Sequence, residues 1–248
     1  MYQFFTEPEN IRENEIIISD HQDVNHICNV LRMKVGEEIA FCCQENQKEY
    51  ICRISSIEKE EVRAVIEDIN GESGELPVEI TLFQGLPKGD KMELIIQKAV
   101  ELGAAQIVPV ASKRAVVKLD AKKAVKKVQR WNEIAKSAAK QSKRRAIPEV
   151  TQVMSFPEAV EYGKTMDMLL IPYEDARGVA YSKEIIASVK GKKSLGIYIG
   201  PEGGFQEEEV ALAQSAGAYS ITLGHRILRT ETAGMAVLSI IMFLLEED

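Results

Sequence analysis

The chain has 248 residues, 45% apolar and 28% charged, with a formal net charge of −7, proportions that fit a globular protein of one large or two smaller domains. Its longest apolar run, residues 235–245, is too short to span a bilayer, and Tyr2, Phe4 and Phe5 meet Glu7 and Glu9 at once, so no signal peptide is expected. The four cysteines, Cys28, Cys42, Cys43 and Cys52, lack zinc-site spacing and are expected to be reduced, small apolar residues.

In chain order, alternating runs at 16–19, 38–43, 49–57 and 62–69 predict strands and 21–33 predicts a helix, giving a small β-rich domain over residues 1–72. The polar segment 70–77, with Gly71, Gly74 and Pro77, marks the boundary. From there the pattern alternates between strand and helix. Strands are predicted at 78–84, 107–111, 168–172, 195–199 and 220–223, and helices at 91–102, 121–145 and 230–246, with further helices in the intervals. This alternation predicts an α/β domain with a mainly parallel sheet over residues 76–248. The helix at 91–102 carries an apolar stripe of Ile95, Ile96, Ala99, Val100 and Leu102, and Gly103 ends it. The last helix is apolar nearly all round. That implies burial inside one subunit or against a second copy.

The net charge conceals an asymmetry. Between residues 113 and 145 stand Lys113, Arg114, Lys118, Lys122, Lys123, Lys126, Lys127, Arg130, Lys136, Lys140, Lys143, Arg144 and Arg145, opposed only by Asp120 and Glu133. Such a field attracts phosphates whatever the overall charge. A solvated helix face is the alternative, and the strength of the imbalance favours nucleic acid.

Two segments share one form: an apolar run, a glycine-bearing turn, then a helical pattern. They are IGPEGGF at 199–205 and LGHRILRTETA at 223–233. Adjacent strand ends of an open α/β sheet are where small ligands bind. Gly203 and Gly204 let backbone approach a ligand, and a Cβ at Gly203 is expected to intrude there. Pro201 stiffens the turn. Glu202 and Glu231 suit a cation or hydroxyls, and Arg226 and Arg229 suit a carboxylate or phosphate. No GxxxxGK[ST] occurs and no GxGxxG follows a strand, which argues against a P-loop hydrolase and a dinucleotide site.

GPEGGF followed by LGHRILRTETA resembles the 16S ribosomal RNA uracil-N3 methyltransferases of the SPOUT superfamily. HICNVLRMKVG at 26–36, LPKGDKMELIIQKAVELG at 86–103, Arg130-Trp131 and AAKQS at 138–142 extend the likeness, in order, over nearly the whole chain. The resemblance implies a deep trefoil knot in the carboxy-terminal domain, a PUA-like amino-terminal β-barrel, and a cytoplasmic homodimer with active sites near the subunit interface. It also implies S-adenosylmethionine (SAM) as cofactor and 16S rRNA, within the 30S subunit, as substrate, with no metal and no membrane.

The implied SAM cradle is Ile199, Gly200, Glu202, Gly203, Gly204, Leu223, Gly224, Ile227, Leu228 and Ala233, with Leu170 and Pro172 as a third wall and Glu174 nearby. Arg229 and Glu231 are the catalytic candidates, for orienting the uracil or assisting loss of its N3 proton. A local ion pair capping the last helix is the alternative. His225, the one histidine of this domain, ranks below Arg229. Residues 76–248 hold no cysteine, which argues against a cysteine-adduct route to carbon methylation. Arg32, Lys126, Lys127, Arg130 and Arg144 are expected to contact RNA. One departure stands out: Tyr2-Gln3 precedes Phe4-Phe5 where the family often has an arginine, and no arginine appears before Arg12. The other functional class is a non-catalytic RNA-binding module, which would have no reason to keep the two glycine-bearing segments.

Overall fold

A computed structural model describes residues 1–71, 74–115, 120–173 and 177–246. It divides into two compact units, Met1–Glu75 with Ala139–Ile147, and Leu76–Ala138 with Pro148–Asp248.

The first unit is built from β1 (Tyr2–Thr6), β2 (Ile11–Arg12), β3 (Glu15–Ile18), α1 (His21–Asn25), β4 (Glu38–Cys43), β5 (Lys48–Ile57) and β6 (Val62–Asn70). The strands pair in the order β1-β4-β5-β6-β3-β2. Only β1 with β4 is parallel. Along β5, Tyr50, Cys52 and Ile54 turn inward at the period of two that a pleated strand imposes, and they join Phe4, Ile16, Ile27 and Phe41 in one core. Strand β1 was not expected. Phe4, buried against Phe41 and edge-on to His26, is what anchors it. The helix expected at 21–33 is shorter: Asp20 caps α1 by accepting from Gln22 N and Asp23 N, and a π-helical turn, His26–Val30, follows. Arg32 lies in the left-handed region (φ 54) just beyond it and is exposed. All four cysteines are free, and burial pushes the Cys42 and Cys52 thiols up to about 12.

The segment Ala139–Ile147 packs into this unit, and ion pairs fasten it there. Lys140 Nζ lies 2.5 Å from Asp23 Oδ1 and 5.0 Å over the Phe4 ring. Arg145 Nη2 meets Glu49 at 3.1 Å. Arg144, its side chain 9% exposed, is bound by the Glu75 carboxylate. Glu75 also accepts from the N–H groups of Arg145 (3.0 Å) and Ala146 (3.2 Å). Arg144, expected to meet RNA, thus has its guanidinium held by a carboxylate distant in sequence.

The second unit contains β7 (Glu79–Gly85), α2 (Lys91–Glu101), β8 (Ala104–Ala111), α3 (Ala121–Gln141, whose last residues fall in the first unit), β9 (Glu149–Val150), β10 (Met154–Ser155) and α4 (Phe156–Gly163). It continues with β11 (Met168–Pro172), α5 (Val179–Ala187), β12 (Ser194–Ile199), α6 (Glu207–Ser215), β13 (Tyr219–Ile221) and α7 (Thr230–Leu245). The sheet order is β10-β8-β7-β12-β11-β13, with β9 also on β8, and every pairing is parallel. The apolar runs of β7, β8, β11 and β12 suit strands covered on both faces. Met92, Ile95, Ile96, Ala99 and Val100 form the buried stripe of α2, which packs on α7. Gly103 ends α2 at φ 88. Asn132 fastens α3 to β9, donating to Val150 O (2.8 Å) and accepting from Val150 N (3.0 Å). Val128, Trp131, Ala135 and Ala138 are the buried face of α3, and Lys122, Lys123 and Lys126 are exposed away from it. Among the described residues no helix is long and apolar enough to cross a membrane.

The Glu75 cluster yields a stability test. Glu75→Ala leaves Arg144 buried without its carboxylate and should lower unfolding free energy by about 3 kcal/mol. Urea denaturation followed by circular dichroism measures this, and an unshifted midpoint would contradict the role assigned to Glu75.

Candidate active site

A cleft of about 930 Å³ opens at the carboxyl ends of the adjacent strands β12, β11 and β13. Its walls are Ile199–Phe205, Pro172 and Tyr173, and the segment 222–230, with Lys91, Arg114, Gly178, Val179 and Ala233. Strand ends of a parallel sheet are where backbone N–H groups and apolar side chains converge on open space.

The first loop is tight for identifiable reasons. Gly204 N donates to Pro201 O at 2.8 Å, and Gly204 has φ 66. A Cβ on Gly200 would stand 2.9 Å from the Gly204 backbone, and one on Gly85 would stand 2.6 Å from Pro201 Cδ. Only glycine fits either position without moving the loop. The expected intrusion at Gly203 differs. A Cβ there would meet Arg114 Cβ at an ordinary 3.5 Å, so the steric demand falls on Gly200. Arg114 Nη1 donates to Gly203 O at 2.9 Å. Behind the loop, the buried Thr230 donates its hydroxyl to Gly200 O at 2.6 Å and accepts from Gln84 Nε2 at 2.8 Å. Gln84, fully buried, also donates to Gly85 O at 2.9 Å. The second loop holds its shape through Thr222, whose Oγ1 donates to Gly224 O (3.0 Å) and accepts from Gly224 N (3.2 Å).

Charge at the cleft is organised by Lys91. Its Nζ lies 3.0 Å from Glu202 Oε1 and 3.5 Å from Glu231 Oε2. Glu202 also accepts from Lys88 N at 3.1 Å. Burial would raise the Glu202 carboxyl, but hydrogen bonds from its own N–H, from Lys91 and from Lys88 N–H outweigh burial and hold it below the usual range. The Glu202 hydrogen bond, foremost, raises Lys91. Arg229 stands at the amino-terminal cap of α7, exposed on the cleft, and its guanidinium has no ion pair or hydrogen bond among the described residues. The alternative of an Arg229–Glu231 helix cap is not what forms: Glu231 turns to Lys91 instead.

Of the expected cradle, Ile199, Gly200, Glu202, Gly203, Gly204, Leu223, Gly224, Ile227, Leu228, Ala233 and Pro172 line the cleft, as do Arg229 and His225. Leu170 does not; it is fully buried within β11, and Pro172, two residues on, forms the wall. Lys126 and Arg130 are exposed on α3, and Lys127 is half-buried, 5.9 Å over the Trp131 ring. Arg130 Nη2 reaches Glu93 on α2 at 3.5 Å. Glu174 and Lys118 lie outside the described residues. Nothing local in the sequence singles out Lys91 or Thr230. Lys91 sits inside the LPKGDKMEL segment and Thr230 inside RILRTETA, but neither motif says which side chain turns inward.

These features define a class. The description "RNA methyltransferase domain" matches residues 74–242, and "RNA methyltransferase PUA domain" matches residues 18–67. The chain is 39% identical to the ribosomal RNA small subunit methyltransferase E of Bacillus subtilis over 98% of its own length and 96% of that protein's. It is 33% identical to the protein of the same name from Mesomycoplasma hyopneumoniae, over 96% and 98%. A solved structure of the Neisseria gonorrhoeae ribosomal RNA small subunit methyltransferase E, bound to S-adenosyl methionine, superposes with a TM-score of 0.83 at 33% identity, covering 98% of each chain. The chain belongs to the ribosomal RNA small subunit methyltransferase E family of RNA methyltransferases. Its second unit is the α/β methyltransferase fold, and its amino-terminal unit is PUA-like with a curled sheet.

Acid titration tests the loop geometry. The Glu202 carboxyl is depressed on folding, so its contribution is complete above its ordinary value of 4.5 and is lost as pH falls through the lower folded value. Thermal unfolding followed from neutral to acid pH should fall less steeply for Glu202→Gln than for the wild type. Superimposable profiles would show that the hydrogen bonds to Glu202 carry no net stability.

Proposed function

We propose that the cleft binds SAM and that the chain transfers its methyl group to N3 of a uridine in 16S rRNA presented by the 30S subunit. One observation carries the reading. The guanidinium of Arg229, without an internal partner among the described residues, stands on a glycine-walled cleft at parallel strand ends. Identity with SAM-bound and rRNA-named relatives supports it.

The residues fit the cofactor. Ile199, Pro172, Leu223, Leu228 and Ala233 offer apolar surface to an adenine ring, and the backbone of Gly200–Gly204 and Leu223–Gly224 offers donors and acceptors. When bound, SAM supplies an electrophilic methyl group on sulfur. The chain must then hold the base and ease the loss of its N3 proton. Glu202 and Glu231 are both engaged with Lys91, and, against burial, hydrogen bonds hold the Glu202 carboxyl below its usual range, which makes Glu202 a weak base. Arg229 therefore carries the larger part: a guanidinium beside N3 would stabilise the uracil anion formed as the N3 proton passes to solvent water, and the methyl transfer would leave the cofactor as the neutral thioether. The target base must leave its stack to enter.

Several wider features belong to this reading. Residues 1–72 act as the PUA-like RNA-binding domain, with Arg32 in contact with RNA, and residues 76–248 as the catalytic domain. The two cleft loops, with α7 anchored behind one of them, are parts of a trefoil knot. The chain works as a homodimer in the cytoplasm. The dimer is supported by Leu94 on α2 and Ile240 and Phe243 on α7, apolar side chains that remain 43%, 47% and 82% exposed on packed helices. Lys126, Lys127 and Arg130 bind rRNA phosphates. The non-catalytic alternative is disfavoured because a binding module needs no such cleft.

Two experiments test these assignments. Nucleoside mass spectrometry of treated 30S particles should find one N3-methyluridine, and Arg229→Ala should lower turnover by roughly two orders of magnitude with little change in SAM affinity. A methyl group on ribose, on carbon 5 or on guanosine would refute the chemistry. Reversing Lys126, Lys127 and Arg130 to Glu should weaken RNA binding and flatten its salt dependence while SAM binding survives. Unchanged RNA affinity would make this face of α3 a solvated surface only.

A further inference from the structure

We infer that Lys91 is a positioning residue of the active site, holding the Gly200–Gly204 loop and the start of α7 in one arrangement by binding Glu202 and Glu231 together. The inference rests on the cofactor reading of the cleft above. Three segments far apart in sequence converge on one ammonium. Lys91 opens α2, Glu202 lies in the loop after β12, and Glu231 lies in the first turn of α7, two residues from Arg229. The contacts are 3.0 Å to Glu202 and 3.5 Å to Glu231, with the three side chains 32%, 28% and 17% exposed. Glu202 is held from a second side by Lys88 N–H, so its carboxylate joins both Lys91 at the start of α2 and Lys88, three residues earlier, to the glycine loop.

Geometry gives this arrangement a purpose. The ammonium donates a hydrogen bond to Glu202 and pairs with Glu231 through charge alone at 3.5 Å, so one cation serves two carboxylates at once. Without it, Glu202 and Glu231, both in contact with the one ammonium, would face each other as unscreened like charges, and repulsion would drive the loop away from α7. The Thr230 hydroxyl fixes the inner side of the same junction, through Gly200 O and Gln84, but it leaves the outer side, where Glu202 stands, to Lys91. Loop and helix supply the two halves of the proposed site: backbone for the cofactor and Arg229 for the base. Lys91 therefore sets their spacing without being required to touch either ligand.

The test compares full-length wild type with Lys91→Met, Lys91→Arg and Glu202→Gln. Amide hydrogen exchange on the ligand-free protein reports the Lys88 N–H, whose protection depends on where the Glu202 carboxylate sits. Calorimetry with SAM reports the cleft. Lys91→Met should speed exchange at Lys88 and in the Gly203–Phe205 segment and weaken SAM by about tenfold, the scale of one charge-assisted hydrogen bond. Lys91→Arg should restore most of both. Adding Glu202→Gln to Lys91→Met should weaken SAM less than the sum of the two single effects. Wild-type exchange and affinity in Lys91→Met, additive effects in the double variant, or no rescue by arginine would each overturn the inference. Should Lys91→Met not fold, Glu202→Gln and Lys91→Arg decide alone: unchanged exchange at Lys88 in Glu202→Gln, or loss of SAM affinity in Lys91→Arg equal to that in Glu202→Gln, overturns it. A wild type that binds no SAM would instead refute the cofactor reading, and the exchange comparison would still decide the role of Lys91.

Discussion

The site depends on one buried hydroxyl. Thr230 is the first residue of α7, and its Oγ1 bridges Gly200 O and the Gln84 amide. A buried carbonyl or amide left without a partner costs on the order of 1–3 kcal/mol, so the end of β7, the loop after β12 and the start of α7 share a single hydrogen-bonded junction. The glycines at 85 and 200 follow from it. Each lies where backbone runs against backbone too closely for a side chain.

Around that junction, charge is sorted by burial. Inside, Thr230 and Gln84 are neutral, and the Thr230 hydroxyl and the Gln84 Nε2 group are hydrogen-bonded, as low-dielectric surroundings demand. At the rim, Lys91 holds two carboxylates. Arg229 alone among the candidate catalytic groups keeps a cation without an acceptor of its own among the described residues. This division explains how one cleft can place an unengaged positive charge beside two carboxylates without the three collapsing into a salt bridge. Glu231 is withdrawn by Lys91, and Arg229 is left facing the open space.

The same sorting changes the meaning of the basic stretch. Counted along the chain, residues 113–145 are opposed by only two acids. In the folded first unit, Lys140, Arg144 and Arg145 meet Asp23, Glu75 and Glu49, which are 117, 69 and 96 positions away. Those three cations are struts. The exposed cations of α3 remain on the face opposite Trp131 and Val128, where the helical period places them.

The sequence by itself determined the periodicities: two in Tyr50, Cys52 and Ile54 of β5, near 3.6 in the apolar stripe of α2, and continuous apolar runs in the parallel strands. It also marked both cleft loops, because a glycine turn between an apolar strand and a helix is a local signal. Strand β1 was not legible, since its pairing with β4 is non-local and its few residues carry little pattern. Nor were the inward turn of Thr230, the displacement of the wall from Leu170 to Pro172, or the capture of Glu231 by Lys91. Each depends on which partner stands across a junction, and only the tertiary structure brings residues 84, 91, 200, 202, 230 and 231 to one place. Local chemistry writes the strands and turns; the distances that decide the fate of a charge are set by packing between segments remote along the chain.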